Sequence, residues 1–73
     1  MYDNYTNLAN AIVLQAVKDY RKALRALARH PHSPVAQHDR RRLERFFHSD
    51  WFNVLTQLDP DMLISKLEVE VTA

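Results

Sequence analysis

An all-α fold, a compact bundle of three or four helices led by a long amphipathic first helix, is predicted by three features of the sequence. The first is helical periodicity: Val13, Val17, Tyr20, Leu24 and Leu27 recur at spacings of four, three, four and three, which sets them in one stripe along a helix. The second is punctuation by capping residues and prolines at Ser33-Pro34, Ser49-Asp50 and Asp59-Pro60. The third is the absence of glycine from all 73 residues. Tight primed hairpin turns favour glycine strongly, so its absence weighs against β-hairpins.

The first helix is predicted to begin near residues 4–7, where several side chains can act as caps, and to run to about Arg29. Leu8, Ile12, Ala16 and Ala23 widen its apolar stripe, and Ala26 and Ala28 add helix propensity. Lys18, Lys22, Arg25 and Arg29 form a second stripe, read as a basic shoulder about 100° from the first. His30-Pro31-His32-Ser33-Pro34 ends the helix, because a residue before proline is pushed out of the α region. Ser33 then caps a second helix with Pro34 in its first position, a placement proline favours.

The second helix is predicted from Pro34 to about His48, with Ala36, Leu43, Phe46 and Phe47 inward and Arg40, Arg41, Arg42 and Arg45 outward. At Ser49-Asp50 two outcomes are open: a short third helix carrying Trp51, Phe52, Val54, Leu55 and Leu58, or a bent continuation of the second. Asp59 caps the last helix, with Pro60 first and Asp61 favourable near the positive helix end. Met62, Leu63, Ile64 and Leu67 are its apolar face. Glu68-Val69-Glu70-Val71-Thr72 alternates polar and apolar residues, a strand-like period, so this end is expected to fray or turn extended.

Residues 1–73 are read as one helical domain. A chain this short buries only about 60% of its unfolded surface, and small proteins compensate with disulfides, metals or oligomerisation. The lack of cysteine excludes disulfides and thiolate zinc sites. A homodimer through the first helix follows as an expectation, with the heptad-like stripe as its seam. The longest apolar run is Ala11-Ile12-Val13-Leu14, far short of the roughly 18 residues a membrane span requires. The polar start lacks the basic and apolar stretches of a secretory signal. The chain therefore reads as cytoplasmic, without a membrane partner. Without glycine it also lacks P-loop and dinucleotide-binding fingerprints.

Charge is segregated along the chain. Residues 1–45 carry nine basic against four acidic residues, +5, and residues 46–73 carry one against five, −4. Lys18, Lys22, Arg25, Arg29, Arg41 and Arg45 are candidates for contacting the phosphates of nucleic acid, provided they form one continuous face. The simpler reading is a solvated surface, partly paired with Asp39, Glu44 or the acidic second half. Consecutive arginines step around a helix by about 100°, so Arg40, Arg41 and Arg42 cannot all face one groove. His30, His32, His38 and His48 show no HExxH spacing, and no metal is expected. Ser33, Ser49, Asp50 and Asp59 are accounted for as helix starts. No enzyme activity and no cofactor are expected from so small a chain.

The segment Phe46-Phe47-His48-Ser49-Asp50-Trp51-Phe52 places four large rings in seven residues. They serve as the hub where helices cross, each burying about 150–250 Å2, or some of them anchor a partner. Phe47 and Leu43 read as core. Trp51, Phe52 and Phe46 are the candidates for binding a protein partner, because tryptophan is enriched at binding hot spots. The pattern Phe46-Phe47-x-Ser49-Asp50-Trp51-Phe52-x-x-Leu55-Thr56-x-Leu58-Asp59-x-x-x-Leu63-Ile64-x-x-Leu67 resembles the C-terminal signature of short proteins encoded in prophages and conjugative elements of Gram-positive bacteria. Ala11-Ile12-Val13-Leu14-Gln15-Ala16-Val17-x-x-Tyr20-Arg21-x-Ala23-Leu24 is similar to their N-terminal half. Those relatives often have glycine where Pro60 stands here, and either residue shapes a helix entry. The resemblance does not extend to residues 30–38. It implies a helical fold and a mobile-element origin, and no activity. The function expected is that of a non-enzymatic accessory module that binds another protein. The alternative is a small DNA- or RNA-binding factor using the basic face of residues 18–45.

Overall fold

A computed structural model describes residues 4–72 as four helices: α1 (Asn4–Arg29), α2 (Pro34–Phe47), α3 (Asp50–Leu55) and α4 (Pro60–Thr72). The all-α bundle with a long first helix is thus the observed architecture, 47 Å in its longest dimension. Each break between helices has a local chemical cause. After α1, the amide of Ser33 donates to the His30 carbonyl (3.0 Å), and the Gln37 side chain donates to the Pro31 carbonyl (2.9 Å), folding the loop back on α2. Ser33 is extended, and its hydroxyl accepts from the Ala36 amide at 3.3 Å, which satisfies one of the free donors at the start of α2.

Ser49 does two jobs. Its Oγ donates to the Phe46 carbonyl (2.6 Å), closing α2, and accepts from the Phe52 amide (3.2 Å), opening α3. With ψ at 157° its backbone leaves the helical region, so α2 does not continue bent into α3. Asp59 Oδ1 accepts from the amides of Asp61 (2.9 Å) and Met62 (3.4 Å), with Pro60 in the first position of α4.

The helix α1 is the common partner on which α2, α3 and α4 pack. It contributes Val13, Ala16, Val17, Tyr20, Ala23 and Leu24 to the core, which meet Leu43 and Phe47 of α2, Phe52 of α3, and Ile64 and Leu67 of α4. The aromatic hub is edge-to-face: Phe47 lies 5.5 Å from both Tyr20 and Phe52, and Phe46 lies 5.7 Å from Phe52. Such pairs add about 0.5–1.5 kcal/mol each beyond the area they bury. The Tyr20 hydroxyl is buried with its ring and donates to Glu44 Oε2 at 2.7 Å. No buried side-chain polar atom lacks a partner among the described residues.

Four expectations are corrected by this packing. The end of α4 is helical through Thr72 instead of frayed or extended. Helical winding brings Val71 onto the core and sets Glu68 and Glu70 against Arg40 (3.1 Å) and Arg21 (2.6 Å). A strand would send alternate residues to opposite faces and lose these contacts. Arg40, expected on the outside, is therefore half-buried between α2 and α4. The stripe proposed as a dimer seam is the core of a single chain, since Val13, Val17, Tyr20 and Leu24 are covered by α2, α3 and α4. Any homodimer would have to use other residues. Finally, Leu8 does not widen the buried stripe: it is exposed, and none of residues 6–12 is buried.

Two substitutions separate hub from cap. Phe47→Ala is expected to cost about 3–5 kcal/mol, enough in so small a bundle to abolish a cooperative urea transition. Ser33→Ala is expected to cost about 1 kcal/mol and to leave a cooperative transition at lower urea.

Candidate functional site

The three aromatic candidates separate by position on short helical segments. Trp51 and Phe52 are neighbours on α3, and one residue along a helix is a rotation of about 100°. Phe52 consequently points into the hub and is fully buried, while Trp51 is 55% exposed. Phe46 is half-buried at the edge of the hub, against Phe47 and Phe52. As a partner-binding residue Phe52 is thus corrected to core, because its ring is already enclosed by this chain. Phe46 is mainly a hub residue, and Trp51 alone of the three is presented to solvent.

Three residues read from the sequence as helix-face residues and not as partner contacts accompany it in the chain. Among them, Met62 is corrected from the inward apolar face of α4 to the surface. Val54, one helical turn from Trp51 on α3, is 74% exposed, and Leu58 and Met62 are exposed in the following link and first turn of α4. Among the described residues, half of the eight large apolar side chains left exposed thus fall within residues 51–62. The signal was present as the spacing of 51, 54 and 58, but it is also the spacing of a core stripe. Asp50, Asp59 and Asp61 are exposed along the same stretch of chain and make it acidic.

The six basic candidates, Lys18, Lys22, Arg25, Arg29, Arg41 and Arg45, are all exposed, and among the described residues none enters an ion pair. They do not form one face. Lys18, Lys22, Arg25 and Arg29 lie within about 60° of one another on α1, over about 16 Å of helix. Counted at about 100° per residue, this stripe lies nearly opposite the buried one instead of on its shoulder. Arg41 and Arg45 instead line an open groove of about 840 Å3 between α2 and α4, which also holds Asp61 and Glu68 and has Ile64 among its lining residues. The acidic residues there offset their field. Arg42, not among the six, stands with Lys22 over the furrow between α1 and α2.

The same groove contains His48, Asp61 and Ser65. His48 Nε2 lies 2.7 Å from Asp61 Oδ1, and Nδ1 lies 2.9 Å from the Glu44 carbonyl oxygen. Its pKa is raised by the hydrogen bond to Asp61 and then by that to the Glu44 carbonyl. With both nitrogens engaged, the ring has no lone pair to accept a proton from Ser65 in this arrangement. Among the described residues no three His, Asp or Glu side chains gather as a metal site. Nor is any helix among them long and apolar enough to cross a membrane.

Neighbouring residues on α3 should respond oppositely to truncation. Trp51→Ala is expected to shift the urea midpoint little, because the ring is half in water. Phe52→Ala is expected to cost about 3–5 kcal/mol. Equal destabilisation by the two, measured by circular dichroism, would show that Trp51 belongs to the core.

No protein family matches this sequence, and neither does any curated protein or solved structure.

Proposed function

We propose that this chain is a non-enzymatic accessory module that binds another protein through the apolar surface of Trp51, Val54, Leu58 and Met62. The observation that carries the reading is a half-exposed tryptophan beside a hub that is complete without it. Tryptophan is over-represented among residues that dominate binding energy, and an apolar centre with a polar rim is the usual build of an interface. Asp50, Asp59 and Asp61 make the same stretch of chain acidic. The partner is therefore a protein with an apolar cleft bordered by lysine or arginine. The resemblance of the Phe46–Leu67 signature to prophage and conjugative-element proteins supports a mobile-element origin.

The test is to capture partners with the wild-type chain, purify the captured protein, and titrate it against wild type and Trp51→Ala. A hot-spot residue is worth about 2 kcal/mol or more, so the variant should bind roughly thirtyfold more weakly while keeping its helical spectrum. Equal affinity for both proteins rejects the reading.

A second reading is favoured by one observation, the unpaired row Lys18, Lys22, Arg25 and Arg29. It would lie along the phosphates of a nucleic acid. Neutralising four phosphates of duplex DNA would give a slope of roughly −3.6 for log affinity against log salt. A mobility-shift titration at two salt concentrations decides it, with Lys22→Glu/Arg25→Glu expected to abolish binding. No shift of DNA or RNA at low salt rejects it.

A further inference from the structure

We propose that His48 is a proton-dependent clamp, which ties the end of α2 to the start of α4 when its imidazole is charged and releases that tie when it is neutral. The two atoms facing the ring, the Glu44 carbonyl oxygen at 2.9 Å and Asp61 Oδ1 at 2.7 Å, can only accept. A neutral imidazole carries one N–H, so both bonds exist together only in the imidazolium. The arrangement is therefore that of the protonated state.

Position adds to this. His48 caps α2 at its C-terminus, where the helix dipole favours a cation, and Asp61 sits in the first turn of α4, where it favours an anion. The charged groups facing the ring across the groove are Arg41, Glu44 and Arg45 on α2 and Asp61 and Glu68 on α4. Asp50 heads α3 two residues along the chain. Glu44 and Glu68 are both paired with Arg40, so Asp61 is the carboxylate that favours the charged ring. The hydrogen bonds to Asp61 and to the Glu44 carbonyl raise the His48 pKa above its ordinary value. A histidine whose pKa is raised on folding stabilises the fold fully below the unfolded pKa of about 6.5 and loses that contribution as pH rises through the folded value.

The segment closed by the clamp is residues 49–60, which includes α3 with Trp51 and Val54. Its other anchors are the Phe52 ring in the hub and the caps at Ser49 and Asp59. Charged His48 thus holds the two ends of this segment together, and its neutralisation frees them while the hub persists. That the clamp controls presentation of a binding surface rests on the protein-binding reading above, whereas the clamp itself does not.

The experiment follows the His48 ring by NMR through a pH titration and measures hydrogen exchange of the 49–60 amides in the same samples, corrected for intrinsic base catalysis. Asp61→Asn is expected to lower the His48 titration midpoint. In the wild type, protection of residues 49–60 should fall as pH crosses that midpoint, by up to about tenfold for each unit the midpoint exceeds the unfolded value. His48→Gln should remove this dependence. A midpoint unmoved by Asp61→Asn, or protection that ignores the protonation of His48, overturns the proposal. Trp51→Ala should leave both readouts as in wild type, so failure of the clamp and failure of the protein-binding reading are told apart.

Discussion

The Tyr20 hydroxyl is the constraint on which the rest of the bundle depends. Its ring is enclosed and lies edge-on to Phe47, which leaves a covered phenol at the edge of the core with a polar group to satisfy. An unpaired buried hydroxyl costs roughly 1–3 kcal/mol, a large fraction of the stability of so small a fold. Glu44 Oε2 accepts a hydrogen bond from it at 2.7 Å, and Arg40 Nε donates to the same oxygen at 3.2 Å. Arg40 then reaches Glu68 of α4 at 3.1 Å. Burial, and then the hydrogen bond to anionic Glu44, raise the Tyr20 pKa well above the ordinary range, so the phenol remains a neutral donor. One chain of polar contacts thereby joins α1, α2 and α4, and it fixes how α2 is rotated about its own axis.

That rotation decides the rest of the surface. With Glu44 turned toward Tyr20, Leu43 and Phe47 fall into the core, and Arg41 and Arg45 face α4 across the groove. The glutamates of α4 are taken up by Arg40 and Arg21, which lie nearer the core than the outer row of α1. Half-exposed pairs of this kind contribute about 1 kcal/mol or less, so they orient the helices more than they stabilise them. The opposition of a basic first half and an acidic second half is therefore divided. Part of it is spent inside the chain as register, and part remains outside as the row from Lys18 to Arg29 and the acidic stretch of chain around Trp51.

Small size shapes the candidate site as well. Among the described residues of α1, the buried side chains all fall within residues 13–24, with Ile12, Ala26 and Leu27 partly covered at the ends of that stretch. Leu8, which precedes that stretch, Leu14, which lies within it but points away from the buried stripe, and the group from Trp51 to Met62 stay in water. Around Trp51 the exposed apolar residues follow directly on the packed hub in the chain, and exposed apolar surface of this kind is suited to recognition.

Much of the fold was legible in the sequence because its determinants are local. A cap needs a side-chain oxygen within a few residues of free amides, so Ser33, Ser49 and Asp59 announce their helices without knowledge of the rest. The stripe from Val13 to Leu24 is legible because helical periodicity alone brings it to one face. The tertiary structure decided what local pattern leaves open. It chose Phe52 over Trp51 for the core, since both satisfy the pattern and only the direction from which α1 approaches tells them apart. It drew Arg40 inward and Arg41 outward, because a buried hydroxyl one helix away needed Glu44. It also kept residues 68–72 helical against their alternating pattern, because helical winding turns Val71 to the core and sets Glu68 and Glu70 on either side of it, where Arg40 and Arg21 meet them.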